Sequence, residues 1–238
     1  MADVDDLTRT IVVTGAFGVL GAAVARHFAE IGDRVALLDL AIQPPEAVRS
    51  SFNERHFLLG GVDLTEPEAT RKAMASVAMR SGRIDGLVNI AGGFQWETLA
   101  DGDVGTWDQL YAMNLRTAVV SCMAALPAMR EQGRGRIVNI SAAAAAERAD
   151  SGMGAYTASK AGVLKLTESL ARELKDEGIT VNAILPGIID TPRNRADMPD
   201  ADFDRWVSPA AIANVIEFLV SDAASAVTGA AIPVVGRG

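Results

Sequence analysis

Thr10-Ile-Val-Val-Thr14, running straight into Gly15-Ala-Phe-Gly18-Val-Leu-Gly21, is the stretch that decides the fold. The first five residues are a short apolar run rich in β-branched side chains, which reads as a buried strand. The glycines then open a segment, 19–32, with helical periodicity that stops at Gly32. A strand that turns through glycine directly into a helix begins a βαβ unit. Such units build parallel sheets covered by helices on both faces.

The alternation continues along the chain. Strand signals fall at 34–40, 56–64 (a strand and its exit), 84–93 (a strand running into a glycine turn), 136–141, 179–186 and 231–235. Helical signals fall at 66–80, 107–133, 155–178 and 209–220, with a mixed stretch at 42–55 that carries room for a short helix. The segment 107–133 reads as one long helix in which Pro127 makes a kink or opens the last turns. Ser208 is placed to cap the helix that starts at Pro209. No linker or repeat interrupts this order, so one doubly wound α/β domain over 1–238 is expected. In such sheets a ligand lies beyond the carboxyl ends of the strands. That rim collects Gly15–Gly21, Asp39, Asp63, Asn89–Gly93, Ser141 and Pro186–Thr191.

Composition narrows the function. The chain has 238 residues and a net charge of −8, with no stripe of Lys and Arg, which excludes non-specific nucleic-acid binding. Cys122, the only cysteine, has no partner for an internal disulfide and reads as a small buried hydrophobe. The acidic start, MADVDDLTRT, is unlike a secretory leader, and no run reaches the ~18 apolar residues of a membrane span. A soluble cytoplasmic protein is expected, with a small molecule as its partner, no membrane contact and no bound metal.

Gly15, Gly18 and Gly21 suit a pyrophosphate turn, because glycine permits close backbone approach and a helix N-terminus favours an anion. Asp39 ends the next strand 18 residues after Gly21, where a carboxylate can accept hydrogen bonds from both adenosine ribose hydroxyls. The same charge repels a 2′-phosphate, and no Arg or Lys stands in 14–25 or 36–45 to bind one. NAD(H) is therefore favoured over NADP(H). Asp63 is a candidate for the adenine amine or, equally, for a helix-start turn.

Tyr156 and Lys160 stand four residues apart in AYTASK, on one face of a helix. Bringing a free phenol, pKa near 10, to a working pH takes about 4 kcal/mol of preference for the phenolate. A neighbouring ammonium and an oxidised nicotinamide both act in that direction. Lys160 is thus expected to lower the phenol's pKa and to bind the nicotinamide ribose.

Taken in order, TGAFGVLG, LLDL, VDLT, NIAGG, MNL, RIVNIS, YTASK and PGIIDTP make the whole chain resemble the short-chain dehydrogenase/reductase family. The resemblance implies a single Rossmann-like domain with seven parallel strands, assembled as a homodimer or homotetramer. It implies Tyr156 as proton donor and acceptor, Lys160 in support, and Asn114 holding a water in a proton relay. It implies a cofactor set of Gly15, Phe17, Gly18, Val19, Leu20, Gly21, Asp39, Leu40, Asp63, Leu64, Asn89, Ala91, Gly92, Tyr156, Lys160, Pro186, Gly187, Ile189 and Thr191. Two features depart from the commoner pattern: glycine at 18 with Val19 after it, and Ala143 where the family has a serine 13 residues before the tyrosine. Ser141 and Ser151 are the nearest stand-ins, with Ser141 better suited to capping a strand end. Both departures resemble the dihydropteridine reductase branch, as do AGG followed by aromatic Phe94, GMGAY, and 190–206. The segment 190–207 would then be a lid, and Phe94, Trp96 and Met153 would face a flat substrate. The readings that remain open are a reductase of a carbonyl, quinoid or pterin-like compound, an alcohol dehydrogenase using Ser141 or Ser151, and a regulator that binds the dinucleotide without chemistry.

Overall fold

Apolar runs of alternating orientation become strands that bury both faces. In the computed structural model, which describes residues 8–237, these are β1 (Thr10–Thr14), β2 (Arg34–Leu38), β3 (Phe57–Leu59), β4 (Gly86–Asn89), β5 (Gly135–Ile140), β6 (Ile179–Pro186) and β7 (Ala231–Val234). The acidic start, through Leu7, lies outside the described residues. All strand pairs are parallel, in the order β3-β2-β1-β4-β5-β6-β7. Parallel neighbours need crossovers, supplied by α1 (Val19–Glu30), α2 (Glu46–Arg49), α3 (Pro67–Ser81), α4 (Val104–Leu110), α5 (Thr117–Gln132), α6 (Gly154–Glu173) and α8 (Pro209–Val220). A further short helix, α7 (Pro192–Asp197), lies in the segment between β6 and α8.

The period of two in β1 divides the core. Ile11 and Val13 pack with Val24 and Phe28 of α1 and Ile212 and Ile216 of α8. Val12 points the other way, into a cluster with Met74 and Val77 of α3, Ala125 and Met129 of α5, and Leu170 of α6. The strand order reverses between β1 and its two neighbours, β2 and β4, so the crevice opens beyond Thr14 and Asn89. The single-domain, seven-stranded, Rossmann-like expectation holds.

Strand pairing in 56–64 and 84–93 stops at Leu59 and Asn89, and the residues beyond form the exit and the glycine turn read there. The helix read at 107–133 needed correction. The long helix starts earlier, at Val104, where the Asp103 carboxylate caps the Gly105 N–H. It is also not uniform: Tyr111–Arg116 is a π-helical turn between α4 and α5, while Pro127 sits inside α5 without ending it. The combined rod, Val104–Gln132, is long and apolar enough to span a bilayer by length and composition alone, contrary to the reading of the sequence. One side of it packs into the core beneath the sheet through Cys122, Ala125 and Met129.

Candidate active site

The glycine turn is shaped by close approach. Gly15 has φ +61° and lies so near β4's exit that a side chain would meet the Ala91 backbone at 2.9 Å. A side chain at Gly21 would strike the Gly15 carbonyl at 2.2 Å. Gly18 starts α1 with no side-chain cap and no acidic residue in the first turn, which leaves that helix end open to an anion.

Asp39 stands at the end of β2 with both oxygens pinned by backbone. Oδ2 accepts the Phe17 N–H and Oδ1 the Ala41 N–H, each at 2.9 Å. Each oxygen retains a lone pair for a ribose hydroxyl. A cleft of about 640 Å³ runs from here to the end of β4. Gly15, Phe17, Gly18, Asp39, Leu40, Asp63, Leu64, Ala91 and Gly92 line it, all expected at the cofactor. Its walls are mostly apolar, its floor is a glycine turn, and one fixed carboxylate stands at its lip, so these residues fit an adenine dinucleotide. Asp63 Oδ1 accepts the Thr65 N–H and hydroxyl, so that oxygen forms the helix-start turn.

Other expected cofactor residues are placed differently. Leu20 is buried in the core beneath the turn, Gly21 backs onto Gly15, and Val19 is half exposed. The Asn89 side chain is engaged elsewhere: its amide donates to Asn139 Oδ1 at 2.8 Å and to Cys122 Sγ at 3.3 Å, tying β4 to β5 beneath the rim. Burial pushes the Cys122 thiol up to about 12. Pro186 pairs with Val234 inside the sheet, and Ile189 forms a bridge to Val207. Thr191 caps α7 through the Asn194 N–H. Gly187 lines a second cavity of about 410 Å³, with Ala143, Glu147, Ile188, Trp206 and Val235 among its walls.

At the reacting end, Lys160 is buried and its Nζ donates to the Ile140 carbonyl at 2.9 Å. Asn114, carried by the π-turn, accepts the Gly93 N–H at Oδ1, 2.8 Å. A Cβ placed on Gly92 would lie 2.5 Å from Asn114 Oδ1 and 3.3 Å from Lys160 Nζ, so the cleft ends beside both groups. The Phe94 ring meets the Tyr156 ring edge-on, with centroids 4.9 Å apart. Ser141 donates its hydroxyl to the Lys160 carbonyl at 2.8 Å and is fully buried, which is the strand-end cap its position suggests. Ser151 is exposed, and its carbonyl accepts the Trp96 indole N–H at 2.9 Å. Trp96 is thereby packed on Gly152, where a side chain would strike its ring at 2.2 Å. Met153 precedes α6, its carbonyl taking the Thr157 hydroxyl.

In the cofactor-free protein, burial works against the expected acidity of the phenol. Burial pushes Tyr156 up to about 12 and Lys160 down to about 8. Desolvation disfavours both charged forms, and one N–H of the ammonium is directed at the Ile140 carbonyl. A positive charge in the cleft would draw the phenol's pKa back down.

Two residues escaped the sequence reading. Thr14 Oγ1 accepts the Ile90 and Ala91 N–H groups at 3.0 and 3.1 Å and so shapes the exit of β4. A hydroxyl between a strand and a glycine turn is its only signal. Ser159, between Tyr156 and Lys160, bonds both to Asn114 and to the Tyr156 carbonyl.

A doubly wound sheet, a glycine turn and an i, i+4 tyrosine–lysine pair on one rim define a class of dinucleotide-binding oxidoreductases. The profile of the short chain dehydrogenase family matches residues 9–202, and the chain belongs to the short-chain dehydrogenase/reductase family. It is 34% identical to D-beta-hydroxybutyrate dehydrogenase of Rhizobium meliloti over 216 residues, 88% of this chain and 83% of that one. It is 35% identical to 2-(R)-hydroxypropyl-CoM dehydrogenase of Xanthobacter autotrophicus over 242 residues, 95% and 96% of the two chains. The crystal structure of levodione reductase superposes with a TM-score of 0.86 at 28% identity, covering 96% of each chain. The protein is accordingly an oxidoreductase of the short-chain type.

Proposed function

We propose that the protein is an NAD(H)-dependent reductase of a small carbonyl, quinoid or pterin-like compound, akin to the dihydropteridine reductase branch. The observation that carries this reading is the single cleft joining the pinned Asp39 carboxylate to Gly92, beside Lys160 and Asn114. Nicotinamide bound there supplies the hydride. Asp39 holds the adenosine ribose and excludes a 2′-phosphate by charge. Lys160 holds the nicotinamide ribose, and the Tyr156 hydroxyl delivers the proton that completes reduction.

Substrate class follows from what surrounds Tyr156. Ala143 carries no hydroxyl to grip a carbonyl, and Ser141 has committed its proton to Lys160. Phe94 gives an aromatic wall instead. A conjugated ring, reduced without a serine grip, suits that setting. The lid spans 190–207: its two ends are joined by the Ile189–Val207 bridge, and Trp206 faces the second cavity. The names of the relatives favour a second reading, an ordinary alcohol or ketone dehydrogenase. We place the enzyme in the cytoplasm as a homodimer or homotetramer.

The test is an NADH-oxidation screen with quinonoid dihydropterin first, then quinones and small ketones, repeated with NADPH. Turnover with the ring compounds and at least a tenfold preference for NADH is expected. Turnover confined to simple ketones, and lost in Ser141→Ala or Ser151→Ala, establishes the second reading. Preference for NADPH overturns the role given to Asp39.

A further inference from the structure

Ser159 lies between the two residues to which the chemistry is assigned, and its hydroxyl is fully engaged. Its Oγ donates to the Tyr156 carbonyl at 2.7 Å. The same oxygen accepts the Asn114 amide, Nδ2 to Oγ, at 2.9 Å. Ser159 is 5% exposed and Asn114 2%, so water does not compete for these bonds.

A carboxamide has two amide protons and an acceptor oxygen. Asn114 spends one proton on the Gly93 carbonyl at 3.1 Å and the other on Ser159. Its Oδ1 takes the Gly93 N–H and faces the space at Gly92 that Lys160 Nζ also borders. Reversing the amide would oppose donor to donor at Gly93 and leave Ser159 without its N–H. The serine proton, in turn, can point only to Tyr156, because its oxygen is held as acceptor. Donation therefore runs one way, Asn114 to Ser159 to the Tyr156 backbone. The serine hydroxyl on the carbonyl three residues back adds a side-chain bond across one turn of the continuous helix α6. That turn separates the phenol from the ammonium.

We propose that Ser159 is a positioning residue that fixes which end of Asn114 faces Lys160 and sets the spacing of Tyr156 from Lys160. This rests on the reductase reading for its kinetic consequences, but the hydrogen-bond clamp itself does not.

The experiment compares Ser159→Ala with Ser159→Thr, which keeps the hydroxyl. In Ser159→Ala, kcat is expected to fall about tenfold, the loss of one buried hydrogen bond. KM for NADH should stay within twofold, and the pH limb governed by the phenol should move to higher pH. Ser159→Thr should restore both kcat and the limb. Without any substrate, nitrogen-15 NMR of the Asn114 side-chain amide, assigned with Asn114→Ala, should show at least tenfold faster proton exchange in Ser159→Ala. A folded Ser159→Ala protein with unchanged limb, kcat within twofold and unchanged amide exchange overturns the proposal. So does a folded Ser159→Thr protein that behaves like alanine. If the wild type turns over nothing, the proposed function fails, while the amide measurement still decides the clamp.

Discussion

The two ends of the cleft are built from different materials. Around the proposed adenosine pocket the working groups are backbone, with one side chain held by backbone: the Gly15 turn, the open start of α1, and the Asp39 carboxylate fixed by the N–H groups of Phe17 and Ala41. At the reacting end they are side chains brought from separate segments: Lys160 and Ser159 on α6, Asn114 on the π-turn, Phe94 on the loop after β4. Backbone sites are fixed by chain geometry and tolerate few substitutions. Side-chain sites are fixed by hydrogen bonds and can be dismantled one group at a time. Binding and chemistry should accordingly separate under mutation.

Tyr156→Phe is the sharpest cut. It removes one oxygen at the reacting end and leaves the adenosine end untouched. Turnover should fall about a thousandfold, the scale of a general acid. The Kd for NADH, read by fluorescence titration, should stay within twofold. Equal losses in both would mean that the two ends are not separable.

Lys160 extends the contrast to stability. Burial holds its ammonium at about 8, below the ordinary 10.5. Between those values the unfolded chain carries a proton that the folded protein has shed, so stability rises with pH across that window. Tyr156 acts oppositely. Pushed from 10.0 to about 12, it keeps a proton the unfolded chain has lost, and stability falls as pH rises through that range. In cofactor-free protein, Lys160→Met removes the first effect. Its stability relative to wild type, from urea denaturation, should drop by about 3 kcal/mol between pH 7 and pH 10.5. A flat difference would show that the ammonium is better solvated than its burial implies.

What the sequence revealed divides along the same line. Backbone sites announce themselves, because only glycine serves at a turn like Gly15, and β-branched runs mark the strands before and after it. The doubly wound parallel sheet, the glycine turn and the strand-end place of Asp39 were therefore legible. Asn114 was recognised as a residue, but the π-turn that delivers it was not, since one extra residue in a helix leaves the apolar pattern of 107–133 nearly unchanged. The direction of the Asn89 side chain was not legible, because a strand-end asparagine looks alike whether it faces the cleft or, as here, Asn139 and Cys122. The burial of the phenol was not legible, because a spacing of four residues shows proximity to an ammonium and nothing of the desolvation that opposes it.

Asp39→Ala strikes the adenosine end and should give the converse of Tyr156→Phe. Losing hydrogen bonds to a charged acceptor should weaken NADH binding about tenfold to a hundredfold. Removing the negative charge should leave NADPH binding unchanged or tighter. At saturating NADH, kcat should stay within a few-fold of wild type. Asp39→Asn keeps one acceptor oxygen and should fall between. A large drop in kcat at saturation would mean that this anchor also sets the position of the nicotinamide.

Trp96→Phe probes the weakest joint, where the loop after β4 meets the loop before α6. The indole N–H donates to the Ser151 carbonyl, Glu97 N–H donates to Gly152, and the ring rests on Gly152, which has φ +77°. Phenylalanine keeps an aromatic ring there and deletes one hydrogen bond at an exposed site, worth about 0.5–1 kcal/mol. Phe94 lies two residues upstream, against Tyr156, so loosening this joint should first be felt as poorer substrate placement. The KM for substrate should rise about threefold with kcat and NADH affinity nearly unchanged, because neither Lys160 nor Asp39 depends on that bond. A kcat loss beyond tenfold would show that the loop carries chemistry and would move the boundary between the two ends out to Trp96.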